Sequence, residues 1–345
     1  MTIKNIFQGG RPCFVVAEAG VNHNGNVELA KQLVHACVQC GADAVKFQTF
    51  QARKLVANRT PKAKYQIKNT ELEESQLEML SRLELTAAEY EEIARYADAM
   101  GILFMSTPFD CESVDLLDWL GVPVFKVSSG DLTYVPLLRH LASKGKPIIL
   151  STGMSSLEEV QVAVDVLSSA GSKEFALLQC VSEYPAPPDE TNLRAMLWMR
   201  ERFRCPVGYS DHTAGLEVAV AAVALGAQIV EKHLTLDRNL PGPDHRASLE
   251  PAEFGELVRQ IRVVESALGD GVKKEAPSES ETRRLVRRSI VAATEIVQGA
   301  YITEDLIECR RPENGIPALY YDSLLGRRAK KRFVPGDLLT WEGLE

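Results

Sequence analysis

A strand-sized apolar run followed by a helical pattern recurs eight times between residues 14 and 268, and few folds accommodate that count. The runs are FVVAE (14–18), AVKFQ (44–48), ILFMS (102–106), VFKVS (124–128), PIILS (147–151), FALLQ (175–179), PVGY (206–209) and QIVEK (228–232). Amphipathic stretches such as 27–40, 87–100, 156–169 and 216–225 lie between them, and 251–268 reads as the eighth helix. Strand–helix alternation calls for a parallel sheet in an α/β fold, and eight units predict closure into a (β/α)8 TIM barrel over residues 1–268.

Two intervals break the rhythm. Residues 49–85 run long and polar, as an insertion on a βα loop does where lids and substrate contacts sit. Residues 269–288, GDGVKKEAPSESETRRLVRR, lack apolar periodicity and read as a linker. Residues 289–345 then form a small module with Gly- and Pro-bounded strands. At about 57 residues it is expected to lean on the barrel or on a partner chain.

Composition narrows the function classes. The chain has 345 residues, 45% hydrophobic and 25% charged, which is ordinary globular usage. A net charge of −8 argues against nucleic acid as a partner, so an anionic substrate must be held by a few placed cations. No apolar run approaches the roughly 20 residues of a membrane span, and none resembles a secretory leader. Seven cysteines, an odd number spread along the chain, read as reduced thiols. The expectation is a cytoplasmic protein without membrane or nucleic-acid partners.

Polar residues stand at the C-terminal end of every predicted strand: Glu18; Lys46 and Gln48; Ser106 and Thr107; Lys126, Ser128 and Ser129; Ser151 and Thr152; Gln179; Ser210, Asp211 and His212; Lys232 and His233. Filling a barrel needs only apolar side chains, and the catalytic groups of such enzymes collect at that face, so the pattern predicts an enzyme. Lys46 and Lys126 each interrupt an apolar strand, where a buried ammonium is costly without an anion. With hydroxyls nearby they describe a phosphate or carboxylate cradle, with a structural ion pair or a Schiff-base lysine as the alternatives. His212 and His233 end consecutive strands and can share a metal ion with open positions. Two imidazoles without a nearby thiolate favour Mn²⁺ or Mg²⁺ over Zn²⁺, and imidazole favours Mn²⁺ of the two. Glu18 is either a proton relay or a partner for one of the lysines.

At these positions the chain is similar to a known family. EAGVNHNG, ADAVKFQTF, PKAKYQIKNT, ESQLEM, MSTPFD, FKVSSGD, KPIILSTGM, YSDHT, EKHLTLD and PGPDH resemble the bacterial sialic acid synthase family, and ECRRPENGI with LLGRRA resembles its C-terminal antifreeze-like (SAF) domain. The resemblance implies a transferase that condenses phosphoenolpyruvate with open-chain N-acetylmannosamine, giving N-acetylneuraminic acid and phosphate by C–O cleavage. The alternative is the same reaction on 2,4-diacetamido-2,4,6-trideoxymannose, giving legionaminic acid. It implies a divalent metal on His212 and His233, Mn²⁺ first and Mg²⁺ or Co²⁺ after it. Lys46, Thr107, Lys126, Ser129, Ser151 and Ser210 would hold phosphoenolpyruvate. Gln48, Tyr184 and Asp244 would contact the sugar, Glu18 would position or activate water and the sugar, and Asp131 joins the expected catalytic set. It also implies a domain-swapped homodimer in which Arg311 reaches the N-acyl group at the partner's barrel.

This chain departs from the family pattern at Asp131, where many members carry glutamate, at Ser182 and at Glu313. A metal-dependent aldolase or hydrolase is the rival from another class, and the two lysines count against it. Ice binding by the terminal module does not suit its charge: residues 283–345 carry 11 Lys or Arg and 9 Asp or Glu.

Overall fold

The structure, a computed structural model, describes residues 4–7, 12–70 and 73–345. It resolves into two compact units, one ending at Gly269 and the other spanning Asp270–Glu345.

The first unit is the eight-stranded parallel barrel. Its strands are β1 (Phe14–Gly20), β2 (Ala44–Thr49), β3 (Leu103–Pro108), β4 (Phe125–Val127), β5 (Ile148–Ser151), β6 (Phe175–Cys180), β7 (Val207–Asp211) and β8 (Ile229–His233). Ladders run in the order β3-β2-β1-β8-β7-β6-β5-β4, and β3 lies beside β4 at the seam that closes the ring. Helices cover the outside and start on local signals. Asn26 accepts from the Leu29 amide at 3.0 Å, and Thr86–Glu89 and Ser156–Glu159 form capping boxes.

Strand parity explains the interior. Side chains two apart share a face, so Val45 and Phe47 point outwards into the core under the helices, while Ala44, Lys46 and Gln48 point inwards. The lower interior is closed by Phe14, Val16, Ala44, Met105, Ile149, Leu178 and Ile229, with Ile6 packed against them. Two residues further along the same strands the inward positions turn polar: Glu18, Lys46, Thr107, Lys126, Ser151, Ser210, Glu231 and His233 are all buried.

The 49–85 insertion folds into short helices, Ala52–Leu55, Lys64–Thr70 and Gln76–Ser81. Phe50, Ala52, Met79 and Leu83 anchor it around Val21. The second unit contains the antiparallel pair β9 (Ser289–Ala292) and β10 (Ile307–Arg310) around a core of Ile290, Ile302, Ile316, Phe333 and Leu339. The stretch read as a linker is not wholly irregular: Ser280–Val286 is helical. Glu313, one of the departures, faces that helix, 3.5 Å from Arg283 and 3.9 Å from Arg287. Among the described residues no helix is long and apolar enough to cross a membrane.

Candidate active site

The register of the parallel ladders brings the two lysines to one cluster. Glu18 pairs with Lys46 across β1–β2, and its Oε2 lies 2.7 Å from the ammonium. Gln48 donates to the other Glu18 oxygen at 3.0 Å, and Lys46 donates to Thr107 Oγ1 at 3.1 Å. Lys126 donates to Ser151 Oγ at 2.7 Å and to the Val127 carbonyl at 3.0 Å. Between the lysines stands Glu231. Its Oε1 is 3.7 Å from Lys46 and 3.9 Å from Lys126, and it accepts from Ser210 Oγ at 3.1 Å.

Burial alone would strip these groups of charge, and their neighbours resist it. For Lys46, burial works against the ammonium but Glu18 and Glu231 prevail and raise its pKa. Burial dominates at Lys126 and lowers it despite Glu231. Burial would raise Glu231, yet Lys126 and Lys46 hold it low. Glu18 is pushed up to about 7, because burial and the Glu231 charge outweigh Lys46.

Ser129 sits beyond β4 on a short turn, Ser129–Asp131, and its Oγ accepts from the Gly153 amide at 3.0 Å. A Cβ at Gly153 would stand 2.4 Å from Ser182 Oγ and 2.9 Å from Ser129 Oγ, so only glycine lets these hydroxyls converge there. Asp131 is engaged locally by the Ser128 hydroxyl, which bonds its Oδ2.

Across the mouth, the rings of His212 and His233 lie 5.4 Å apart, centroid to centroid. The Val181 carbonyl, 2.7 Å from His212 Nδ1, orients that ring and leaves Nε2 to carry the lone pair. His233 is held neutral by burial and by the neighbouring cations, and its buried Nδ1 has no hydrogen-bond partner. That orphaned nitrogen and the open Nε2 of His212 fit a divalent cation, although, against burial, Cys180 and the Val181 carbonyl raise the His212 pKa, so that a cation there displaces a proton. Asp244 Oδ2 lies 4.0 Å from His233 Nδ1, and burial lifts its carboxyl to about 6. Tyr184 lies over the His212 ring, centroids 4.1 Å apart, and meets His233 edge-on at 5.6 Å.

Several strand-end readings change. Gln179 does not face the site: its amide donates to the Thr191 carbonyl, and Cys180 takes the inward position, Sγ 3.6 Å from His212 Nδ1. A thiol therefore does stand beside the histidines, on the nitrogen already bound to Val181. Among the described residues no group of three His, Cys, Asp or Glu is arranged to hold a metal. Asp211 and Lys232 form an ion pair with each other at 2.7 Å on the outer face. Ser106 bonds the Thr49 hydroxyl. Arg311 is an exposed residue of the second unit. Glu231, Cys180 and Gly153 were missed, although parity counted from His233 along β8 marks Glu231 as inward.

The NeuB family pattern matches residues 33–273, and the SAF domain pattern matches residues 287–345. The chain belongs to the NeuB family. An N,N'-diacetyllegionaminic acid synthase of Campylobacter jejuni is 47% identical to it, over 94% of this chain and 98% of that protein. The enzyme of the same name from Legionella pneumophila is 46% identical, over 96% and 95%. The crystal structure of an N-acetylneuraminic acid synthetase from Leptospira borgpetersenii in complex with citrate superposes with a TM-score of 0.71 at 34% identity, covering 79% of this chain and 90% of that one. This NeuB chain is accordingly an enzyme of the synthase type, built as a TIM barrel with a small SAF unit.

Proposed function

We propose that this enzyme joins phosphoenolpyruvate to the open-chain form of an N-acylated mannosamine-type sugar, giving a nine-carbon 2-keto sugar acid and phosphate. The observation that carries the reading is the pairing, at one barrel mouth, of a two-lysine cradle with two metal-competent histidines. The more similar relatives favour 2,4-diacetamido-2,4,6-trideoxymannose, and hence a legionaminic acid product, over N-acetylmannosamine, the first expectation.

Lys46, Lys126, Thr107, Ser129, Ser151 and Ser210 hold the phosphate and carboxylate of phosphoenolpyruvate, where charge-assisted bonds in a dry site are strong. His212 and His233 hold the metal, Mn²⁺ in first place, which supplies Lewis acidity for an aldehyde oxygen when bound. Carbon 3 of phosphoenolpyruvate forms a bond to the aldehyde carbon, and the positive charge left at carbon 2 is taken by water. Glu18, with a pKa near neutrality, takes the proton that this water releases. The proton on Glu18 passes to the alkoxide made from the aldehyde oxygen. The tetrahedral carbon then becomes the ketone as its hydroxyl proton goes to the phosphate, which departs with its bridging oxygen while Lys46 and Lys126 stabilise the leaving anion. Gln48, Tyr184 and Asp244 orient the sugar, and Asp131 keeps the turn bearing Ser129 in place.

The same reading includes a domain-swapped homodimer in which the SAF unit of one copy covers the barrel of the other and presents Arg311 to the N-acyl group. Its support is the exposed arginine and the exposed Leu319, Tyr320 and Trp341 of the SAF unit. Phosphate release from phosphoenolpyruvate with Mn²⁺ and each sugar in turn tests the reaction. Release dependent on the diacetamido sugar is expected, and no release with either sugar by folded, metal-loaded protein rejects it.

A further inference from the structure

The 49–85 insertion delivers one side chain to the mouth for which the reaction above has no use. Tyr65, on the helix Lys64–Thr70, lies 4.9 Å from Tyr184, centroid to centroid, with the rings inclined by 30°. Tyr184 in turn lies 4.1 Å from His212 at 33°. Three rings thus run from the insertion to the candidate metal pair, with Tyr184 in the middle.

The helix that carries Tyr65 is fastened at its other end. Asn69 Nδ2 donates to the Pro243 carbonyl at 2.7 Å, next to Asp244. Gln66 accepts from the Ala63 amide at 2.9 Å and reaches the Tyr65 hydroxyl at 3.4 Å. One short helix therefore touches both loops that bear the sugar-contact candidates Tyr184 and Asp244.

We propose that Tyr65 is a positioning and specificity residue, setting Tyr184 and extending it into an aromatic wall that selects N-acylated sugars with apolar substituents remote from the aldehyde. The inference rests on the proposed condensation, which puts the aldehyde at His212 and His233 and sends the rest of the open chain along the rings. The diacetamido trideoxy sugar carries a methyl at carbon 6 where N-acetylmannosamine has a hydroxymethyl, and an acetamido at carbon 4 where the latter has a hydroxyl. Both changes add apolar surface that aromatic rings can cover. Apolar contacts of that size discriminate by about tenfold or more.

The test compares kcat/KM for the two sugars, and KM for phosphoenolpyruvate, in the full chain and in Tyr65→Ala, Tyr65→Leu and Tyr65→Phe. In the alanine and leucine variants the preference for the diacetamido sugar should fall about tenfold, through a raised sugar KM, with KM for phosphoenolpyruvate within twofold. Tyr65→Phe should restore the preference. An unchanged preference in both truncations, or an equal rise of both KM values, overturns the inference while the condensation stands. Tyr65→Leu removes the ring but keeps an apolar side chain, and covers the case in which the alanine variant does not fold. Absence of phosphate release by the unaltered enzyme with both sugars removes the condensation and the inference together.

Discussion

The floor and the mouth of the barrel interior are built on the same strands, two residues apart, and obey opposite rules. At the floor, Val16, Met105, Ile149 and Ile229 are fully enclosed and apolar, so every atom there contributes to stability by leaving water. At the mouth, Glu18, Lys46, Lys126, Glu231 and His233 are as deeply enclosed but charged or polar. Desolvating such groups costs several kcal/mol each, which mutual pairing returns only in part. The floor holds the fold together, and the mouth keeps a buried set of charges at the fold's expense.

Substitutions can break or sharpen that contrast. Replacing the pair together, Lys126→Met with Glu231→Gln, should lower kcat/KM for phosphoenolpyruvate by about 10³, the scale of losing an electrostatic clamp, while unfolding stability changes by less than about 1 kcal/mol or rises, since Lys46 keeps Glu18 as its partner. A loss of stability comparable with a core truncation would erase the distinction. Ile149→Ala should do the reverse, costing about 3 kcal/mol in chemical denaturation with both KM values kept in the folded enzyme. His233→Ala should reduce turnover and metal affinity together, by about a hundredfold. Full activity of that variant in metal-stripped buffer would remove the histidine's role. The smallest effect is expected at Arg311→Ala, a rise of about tenfold in sugar KM with phosphoenolpyruvate unaffected. Mixing Arg311→Ala with Lys126→Met subunits should restore some activity if barrels are completed by a second copy, and none if each chain completes its own.

Much of the mouth was readable before folding, because a charged residue inside an apolar strand is anomalous wherever the strand goes. Lys46 and Lys126 announce themselves in AVKFQ and VFKVS, and His212 and His233 end adjacent strands. Glu231 was harder. In IVEKHL three polar residues stand in a row, and only the register decides that Glu231 and His233 point inwards while Lys232 turns outwards to Asp211. A one-residue difference in the end of β6 likewise exchanged Gln179 for Cys180. The departures found partners of their own: Ser182 closes on Gly153, Asp131 on Ser128, and Glu313 on Arg283 and Arg287.

What the chain alone determined is the fold and the inventory of the site. Eight strand–helix repeats leave little choice but a barrel, and the period of two along a strand is a local property. What only the tertiary structure decided is which members of that inventory meet. The spacing of Lys46 and Lys126 about Glu231, and the reach of Tyr65 from an aperiodic insertion to Tyr184, join residues far apart in the chain. Such contacts depend on ladder register and loop closure, which sum over the whole barrel and leave no trace in any short stretch of sequence.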